Sequence, residues 1–204
     1  MKKVIKNTYN NIVEIYRSDR VLDSPDFYQM VYKSIQNTIE LNGLQILDMG
    51  CGNGVPLANM LAQENHYSGI DISDEQVKKA RMLHPKANFY VADFETSLNN
   101  FNRGYDLILA IYSIIHSDRN KHGDILEGIW SRLKKHGILA ATLGYNDCPN
   151  RIIDNWFGHS MFFSHYDWTY YENLFNSFGG KLIQMIPING FVSKYSYCIY
   201  KKLT

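Results

Sequence analysis

Three glycines occupy alternate positions directly after an apolar run of the chain. The run covers residues 46–49 and includes Asp48, and the glycines are Gly50, Gly52 and Gly54. Glycines with this spacing let the backbone turn sharply and let a ligand approach it closely. The spacing lacks the later glycine of a dinucleotide pattern, and a carboxylate at Asp48 would repel phosphate but attract an amino group. The pattern therefore favours a nucleoside cofactor that carries an amino acid.

Two further carboxylates end the next two apolar runs. Asp71 ends the run at residues 67–71, about 20 residues after the glycine turn, where ribose hydroxyls lie in such folds. A carboxylate can accept hydrogen bonds from both of these hydroxyls. Asp93 ends the run at residues 88–93, and a turn or helix cap is its alternative role. Three successive strands that each end in a carboxylate are difficult to explain by capping alone.

The stretch from Asp48 to Gly54 resembles the first motif of class I S-adenosylmethionine-dependent methyltransferases, an acidic residue followed by Gly-x-Gly-x-Gly. The order of the elements is similar to that family over most of the chain. The resemblance implies S-adenosyl-L-methionine as cofactor and S-adenosyl-L-homocysteine as its product. It also implies that Asp93 accepts from the adenine amino group and that Phe94 packs on the ring. Other residues that it assigns to the cofactor site are Cys51, Ile72 and Ile111.

The first 40 residues are predicted to form a helical lid. Tyr9 and Tyr16 lie in a segment of helical spacing, and a second helix follows Pro25. In small-molecule methyltransferases of this class, a tyrosine-bearing first helix often folds over the methionine end of the cofactor, and both tyrosines resemble that pattern. The alternative, that both rings pack on the helices of the sheet, stays open.

The alternation of strands and helices predicts an α/β fold. Five strands are expected between residues 46 and 143, and helices are expected at residues 55–61 and 123–136. Two last strands, at 181–186 and 195–201, have no helix between them and must pair antiparallel. We therefore expect a doubly wound, mostly parallel seven-stranded sheet with helices on both faces and a C-terminal antiparallel hairpin, a Rossmann-like methyltransferase fold.

One domain is expected to span residues 1–204. Its predicted parts are an N-terminal helical lid at 1–40, a cofactor-binding core at 41–144, an aromatic substrate insertion at 145–168, and a C-terminal helix and hairpin at 169–204.

The segment after the fourth strand, residues 105–110, is the predicted meeting point of substrate and cofactor. It lacks the Asn/Asp-Pro-Pro-aromatic signature that nucleic-acid amino-methyltransferases usually carry here, which disfavours methylation of a base nitrogen. A histidine has the right pKa to take a proton from a hydroxyl or a protonated nitrogen. His116 is the first candidate for this general base and His165 the second, with a hydrogen-bonding wall residue as the alternative for each.

The insertion at residues 145–168 is unusually aromatic. Loops at this end of such a sheet generally form the substrate pocket. An ordinary core or a dimer interface is the alternative. The predicted substrate-binding residues are Tyr112, Tyr145, Trp156, His159, Phe162, Phe163 and Tyr166.

Composition limits the partners that we expect. The net charge of +1 gives no basic footprint for nucleic acid, and no apolar run approaches the ~20 residues of a membrane span. The N-terminus does not look like a signal peptide. The three cysteines, Cys51, Cys148 and Cys198, indicate neither a disulfide framework nor a metal site. We expect a cytoplasmic monomer or homodimer that acts on a small molecule.

The predicted function is methyl transfer from S-adenosylmethionine to an oxygen or nitrogen of a small, apolar or aromatic molecule. A non-catalytic S-adenosylmethionine-binding module is one alternative, and methylation of a protein or RNA is another. An NAD-linked oxidoreductase would share the glycine turn and Asp71 but would leave Asp93 and the terminal hairpin unexplained.

Overall fold

The computed structural model describes residues 1–16, 25–101, 104–190 and 192–204. The part of the predicted lid at residues 17–24 lies outside the described residues. The strands are β1 (Gln45–Met49), β2 (His66–Asp71), β3 (Asn88–Val91), β4 (Tyr105–Ala110), β5 (Leu133–Gly144), β6 (Cys148–Trp156), β7 (His159–His165), β8 (Gly180–Asn189) and β9 (Lys194–Lys202). The helices are α1 (Lys2–Asn11), α2 (Pro25–Gln36), α3 (Leu57–Leu61), α4 (Asp74–Leu83), α5 (Phe94–Ser97), α6 (His122–Trp130) and α7 (Trp168–Ser177).

A seven-stranded sheet in the order β3-β2-β1-β4-β5-β9-β8 forms the centre of the molecule. Neighbours among β1 to β5 pair in parallel, whereas β9 is antiparallel to both β5 and β8. The predicted doubly wound sheet with its C-terminal antiparallel hairpin is therefore confirmed.

Successive residues of the central strands face opposite sides of the sheet. In β1, Ile46 belongs to the cluster that also contains Val31 and Leu57 from α2 and α3, whereas Leu47 belongs to the cluster with Leu126 from α6. Because helices cover both faces, the inner strands are apolar at nearly every position. Each fully buried side chain of this kind contributes about 1.5–3 kcal/mol to stability.

Helix α4, which follows β2, begins at a side-chain cap. Ser73 Oγ accepts a hydrogen bond from the Gln76 amide at 3.1 Å, and Asp74 and Glu75 follow in the first turn. This cap fixes the start of α4 beside the end of β2.

The predicted helix at 123–136 is wrong in its last turn and a half. Helix α6 ends at Trp130, and β5 starts at Leu133, which pairs with Tyr105 of β4. The Arg132 carbonyl accepts from the amides of Gly104 and Tyr105, so sheet pairing has replaced the helical bonds there. Leu133 fits the helical spacing, but it is buried as the first residue of a strand.

The aromatic insertion is not a loop. Strands β6 and β7 pair antiparallel as a separate two-stranded sheet, and the chain turns between them at Phe157 and Gly158, both with positive φ. The hairpin packs against α1, and Thr8 Oγ1 donates to the Ser160 carbonyl at 2.8 Å. The N-terminal helix therefore rests on this hairpin.

Within the described ranges, no helix has the length and apolar character needed to span a membrane.

Candidate cofactor and substrate site

A cavity lies beneath α1, at the carboxyl ends of β1, β2 and β4. Ligands of open α/β sheets bind at this edge. Eleven of the predicted site residues line it: Tyr9, Tyr16, Gly50, Gly52, Asp71, Ile72, Asp93, Phe94, Ile111, Tyr112 and His116. Five more lining residues were not among the predicted ones: Lys2, Ile5, Glu95, Ser113 and Ser117.

The glycine turn lets a ligand approach the backbone closely, but several of its backbone amides already donate hydrogen bonds within the protein. Gly50, Gly52 and Gly54 all have positive φ, which side chains rarely adopt. The amides of residues 50 and 51 both donate to the Ile70 carbonyl, at 2.8 and 3.0 Å, and the amide of residue 54 donates to the Cys51 carbonyl. Polar contacts to a ligand must therefore come mainly from side chains around the turn.

Asp71 holds the turn and faces the cavity. Its two carboxylate oxygens accept from the amides of Gly52 and Ser73, each at 2.8 Å. Asp71 lines the cavity at the carboxyl end of β2, the place where ribose hydroxyls lie in open α/β sheets of this kind. The predicted role of Asp71 is thus compatible with its geometry.

Asp48 lies behind the turn rather than in the cavity wall. It is buried, and its carboxylate accepts a short hydrogen bond from the Tyr67 hydroxyl. Asp48 does not line the cavity, and its contact with a cofactor amino group stays a prediction. Neither the carboxylate's burial nor its tyrosine partner was evident from the motif.

Asp93 faces a cation that the sequence did not suggest. The Lys2 ammonium of α1 contacts Asp93 and also lies 3.0 Å from Glu95, which Lys121 reaches at 3.0 Å as well. Burial opposes ionisation of Glu95, but the two ammonium groups outweigh it and hold the pKa of that carboxyl below its ordinary value. Asp93 also caps α5 through the Glu95 amide at 3.0 Å, so the capping role and the lining role coincide.

His116 forms a hydrogen-bonded pair with Tyr9 of the lid. Its Nδ1 lies 2.7 Å from the Phe162 carbonyl, and its Nε2 lies 3.0 Å from the Tyr9 hydroxyl. A carbonyl can only accept, so the proton is on Nδ1 and the Nε2 lone pair accepts from Tyr9. Burial lowers the pKa of His116 to about 4, which keeps the ring neutral at physiological pH.

Backbone strain accompanies this end of the cavity. Tyr112, directly after β4 and one turn before His116, has φ of 54°. Non-glycine residues in the left-handed region cost on the order of 1 kcal/mol or more and concentrate at functional sites.

Three of the predicted substrate residues form a layer behind the cavity. The Trp156 ring lies 5.6 Å from Tyr9, 5.8 Å from Tyr16 and 6.2 Å from His116. Phe162 and Phe163 belong to the same buried cluster. These rings support the lid and the histidine and do not line the cavity.

The remaining predicted substrate residues and the second candidate base lie elsewhere. His165 is buried, with Nε2 2.6 Å from the Ser193 hydroxyl and Nδ1 3.2 Å from the Tyr166 carbonyl. Tyr166 stacks on Tyr170. The placement of His165 contradicts its prediction as a base, because its two nitrogens are engaged away from the cavity. Tyr145, His159, Cys51 and Gly54 also do not line it.

Comparison with known proteins agrees with the fold. Residues 46–137, from β1 into β5, match the family model of a methyltransferase domain. A curated relative, an uncharacterised methyltransferase of Schizosaccharomyces pombe, is 28% identical over 125 residues, covering 58% of this chain and 47% of the relative. The chain thus spans about half the length of that relative.

Two solved structures illustrate the similarity. A SAM-dependent methyltransferase from Methanosarcina mazei has a TM-score of 0.70 at 17% identity, over 83% of this chain and 97% of that chain. Magnesium protoporphyrin IX methyltransferase from Synechocystis PCC 6803, with bound SAH, has a TM-score of 0.75 at 13% identity, over 98% of this chain and 99% of that chain.

The fold and the partial family match agree. The structure has the Rossmann-like fold of the solved S-adenosylmethionine-dependent methyltransferases, as the sequence predicts, and the part of the chain from β1 into β5 matches the model of a methyltransferase domain. Two of the solved structures with this fold contain bound SAH or SAM.

Proposed function

We propose that this protein transfers a methyl group from S-adenosylmethionine to an oxygen or nitrogen of a small, apolar or aromatic molecule. The observation that carries the proposal is one cavity that joins the glycine turn, Asp71 and Asp93 to the hydrogen-bonded Tyr9–His116 pair. The first three features suit a nucleoside, and the pair supplies a proton acceptor beside it.

When bound, S-adenosylmethionine supplies an electrophilic methyl group attached to a sulfonium sulfur. After transfer of that methyl group, the rest of the cofactor is a neutral thioether. The protein therefore has to position the acceptor and remove its proton. His116 is neutral and its Nδ1 proton is held by the Phe162 carbonyl, so Nε2 is the nitrogen that can take a proton. Tyr9 lies against this nitrogen and can pass a proton to it from an acceptor in the cavity.

The proposed substrate class follows from the walls of the cavity. At the lid end these are Ile5, Tyr16, Ile111 and Tyr112, which are apolar or aromatic, and the second layer behind them contains Trp156. Rings and aliphatic groups favour a substrate with an apolar or aromatic body, with a few polar groups that fix its orientation. The net charge of +1 supplies no general attraction for nucleic acid, and we expect the protein to act in the cytoplasm as a monomer or homodimer.

Isothermal titration calorimetry with S-adenosylmethionine, S-adenosylhomocysteine and NAD tests the cofactor. We expect micromolar binding of both sulfur ligands and no binding of NAD. If a folded sample bound neither sulfur ligand, the proposal would be contradicted. Binding of NAD would favour an oxidoreductase.

A screen of phenols, alcohols and amines, with release of S-adenosylhomocysteine as the readout, tests the transfer. For an acceptor found in this way, H116Q should lower kcat by at least ~10²-fold if His116 is the base. H165Q is the matched control and should keep kcat within a few-fold, because His165 lies outside the cavity. Equal loss in both variants would refute the assignment of His116.

A further inference from the structure

Ser113 carries a buried hydroxyl that has no hydrogen-bond partner. The residue is 7% exposed and lines the cavity. Of the lining residues within the described ranges, it alone has a buried side-chain oxygen or nitrogen without a partner. An unsatisfied buried hydroxyl is costly, and most such groups in proteins are paired. A ligand in the cavity would remove this cost.

The hydroxyl is held directly against the glycine turn. A Cβ added at Gly50 would lie 2.4 Å from Ser113 Cβ and 3.3 Å from Ser113 Oγ. The backbone around it is fixed, because the Ser113 carbonyl accepts from the His116 amide at 3.1 Å and Tyr112 has its strained φ. Ser113 thus offers a preorganised polar atom beside the first glycine.

The order of the strands assigns a part of the cofactor to each carboxyl end. Asp93 follows β3, Asp71 ends β2, Gly50 follows β1 and Ser113 follows β4, and these strands are consecutive neighbours. If adenine lies at Asp93 and ribose at Asp71, the amino acid that the nucleoside carries through its sulfur lies over β1 and β4. Asp48 does not line that region, and the amides of residues 50 and 51 donate to Ile70.

We infer that the Ser113 hydroxyl hydrogen-bonds the amino acid end of S-adenosylmethionine. This inference rests on the proposed function, since it requires that cofactor. The amino acid end carries an ammonium donor and a carboxylate acceptor, and a hydroxyl can serve either one. Ser113 therefore performs the contact that the sequence motif assigned to Asp48.

The test combines S113A with two ligands that share the adenosine and its sulfur but differ at the amino acid end. S-adenosylhomocysteine has the amino acid, whereas 5′-methylthioadenosine lacks it. In calorimetry, S113A should lower the affinity for S-adenosylhomocysteine by about 10- to 150-fold, as for the loss of one hydrogen bond to a charged group. Its affinity for 5′-methylthioadenosine should stay within twofold of the wild type.

Stability gives a second readout that does not depend on activity. Without ligand, S113A should melt at the same temperature as the wild type or higher, because an unsatisfied hydroxyl is removed. S34A is the matched control: Ser34 is also 7% exposed, but its Oγ donates to the Met30 carbonyl at 2.7 Å. S34A should melt lower and bind both ligands normally.

Two outcomes overturn the assignment of Ser113. One is an unchanged affinity of S113A for S-adenosylhomocysteine, and the other is an equal loss for both ligands. If the wild type binds neither ligand, the proposed function fails together with this inference.

Discussion

Gly50 is the residue at which the space for the cofactor is most sharply limited. Its φ is +77°, and an added Cβ would lie 2.4 Å from Ser113 Cβ. G50A should therefore lower the free energy of unfolding by roughly 2–4 kcal/mol, the sum of overpacking and backbone strain, and abolish binding of S-adenosylhomocysteine. Urea denaturation and calorimetry measure the two effects.

Gly43 is the matched control for this prediction. It has a similar φ of +68°, but no atom lies within 4 Å of an added Cβ. G43A should cost only about 1 kcal/mol from strain and leave ligand binding intact. Equal losses in the two variants would show that space beside Ser113 is not the limiting factor.

Buried imidazoles make stability depend on pH, because burial also lowers the pKa of His84 and of His165. Burial lowers the pKa of His116 and of His122 to about 4, from an ordinary 6.5. The unfolded chain therefore binds more protons between pH 6.5 and 4, so their contribution is present above pH 6.5 and is lost as the pH falls toward 4. We expect a loss of roughly 2 kcal/mol for each ring between pH 7 and pH 5.

Urea denaturation at several pH values measures this dependence. H116Q should show a shallower decrease in stability between pH 7 and pH 5, because one of the buried imidazoles is gone. H136Q is the control, since His136 is exposed, and it should retain the wild-type decrease. A slope that is unchanged in H116Q would contradict the predicted titration.

The sequence indicated the residues that line the candidate site better than it indicated their partners. Gly50, Asp71 and Asp93 stand in a local pattern along the chain, and local patterns can be read directly. Asp48 belongs to the same pattern, yet its hydroxyl partner Tyr67 comes from another strand. Lys2 is 91 residues from Asp93, so its contact there depends on how the lid closes.

The lid helix α1 packs on the β6–β7 hairpin and is also joined to α4 by polar contacts. Asn10 joins it to α4, because Asn10 Oδ1 accepts from Ser73 Oγ at 2.5 Å and Asn10 Nδ2 donates to Asp74 at 3.2 Å. N10A should loosen α1, increase hydrogen exchange of its amides by about 5- to 10-fold, and weaken binding of S-adenosylhomocysteine.

Asn7 provides the same residue type on the exposed side of the same helix. N7A should change helix propensity equally but leave the contact with α4 intact, so hydrogen exchange in α1 should stay near the wild-type rate. Similar acceleration in N7A and N10A would show that propensity, rather than the contact with Ser73, controls the lid.

At the level of elements, the sequence predicted the sheet and missed the insertion. Strands β1 and β4 are apolar runs, and such runs are typical of strands covered on both faces. Strand β6 instead exposes most of its residues, including Asn150, Arg151 and Asp154. A segment with that composition resembles a loop in the sequence. The pattern of polar and apolar residues does not show its hydrogen bonds to β7.

On the scale of the whole molecule, the last strand holds the two cores together. Strand β9 lies between β5 and β8, with Tyr197 and Ile199 in one core cluster and Cys198 and Tyr200 in the other. Removal of residues 194–204 should therefore abolish cooperative unfolding, because it leaves one edge of β5 unpaired and opens both faces of the sheet.

Circular dichroism during thermal unfolding tests this prediction. Removal of residues 203–204 alone, which lie beyond β9, should leave the melting transition close to that of the full chain. A cooperative transition in the longer truncation would show that β1 to β5 fold without the C-terminal hairpin.

Trp156 gives the molecule an optical signal for the state of its lid. Its indole ring contacts Tyr9 and Tyr16, whereas Trp130 and Trp168 belong to the core cluster on the other side of the molecule. Movement of α1 changes the polarity around one indole and leaves the other two in place. Replacing Trp130 and Trp168 by phenylalanine would make the fluorescence of the protein report lid opening in real time, without an attached dye.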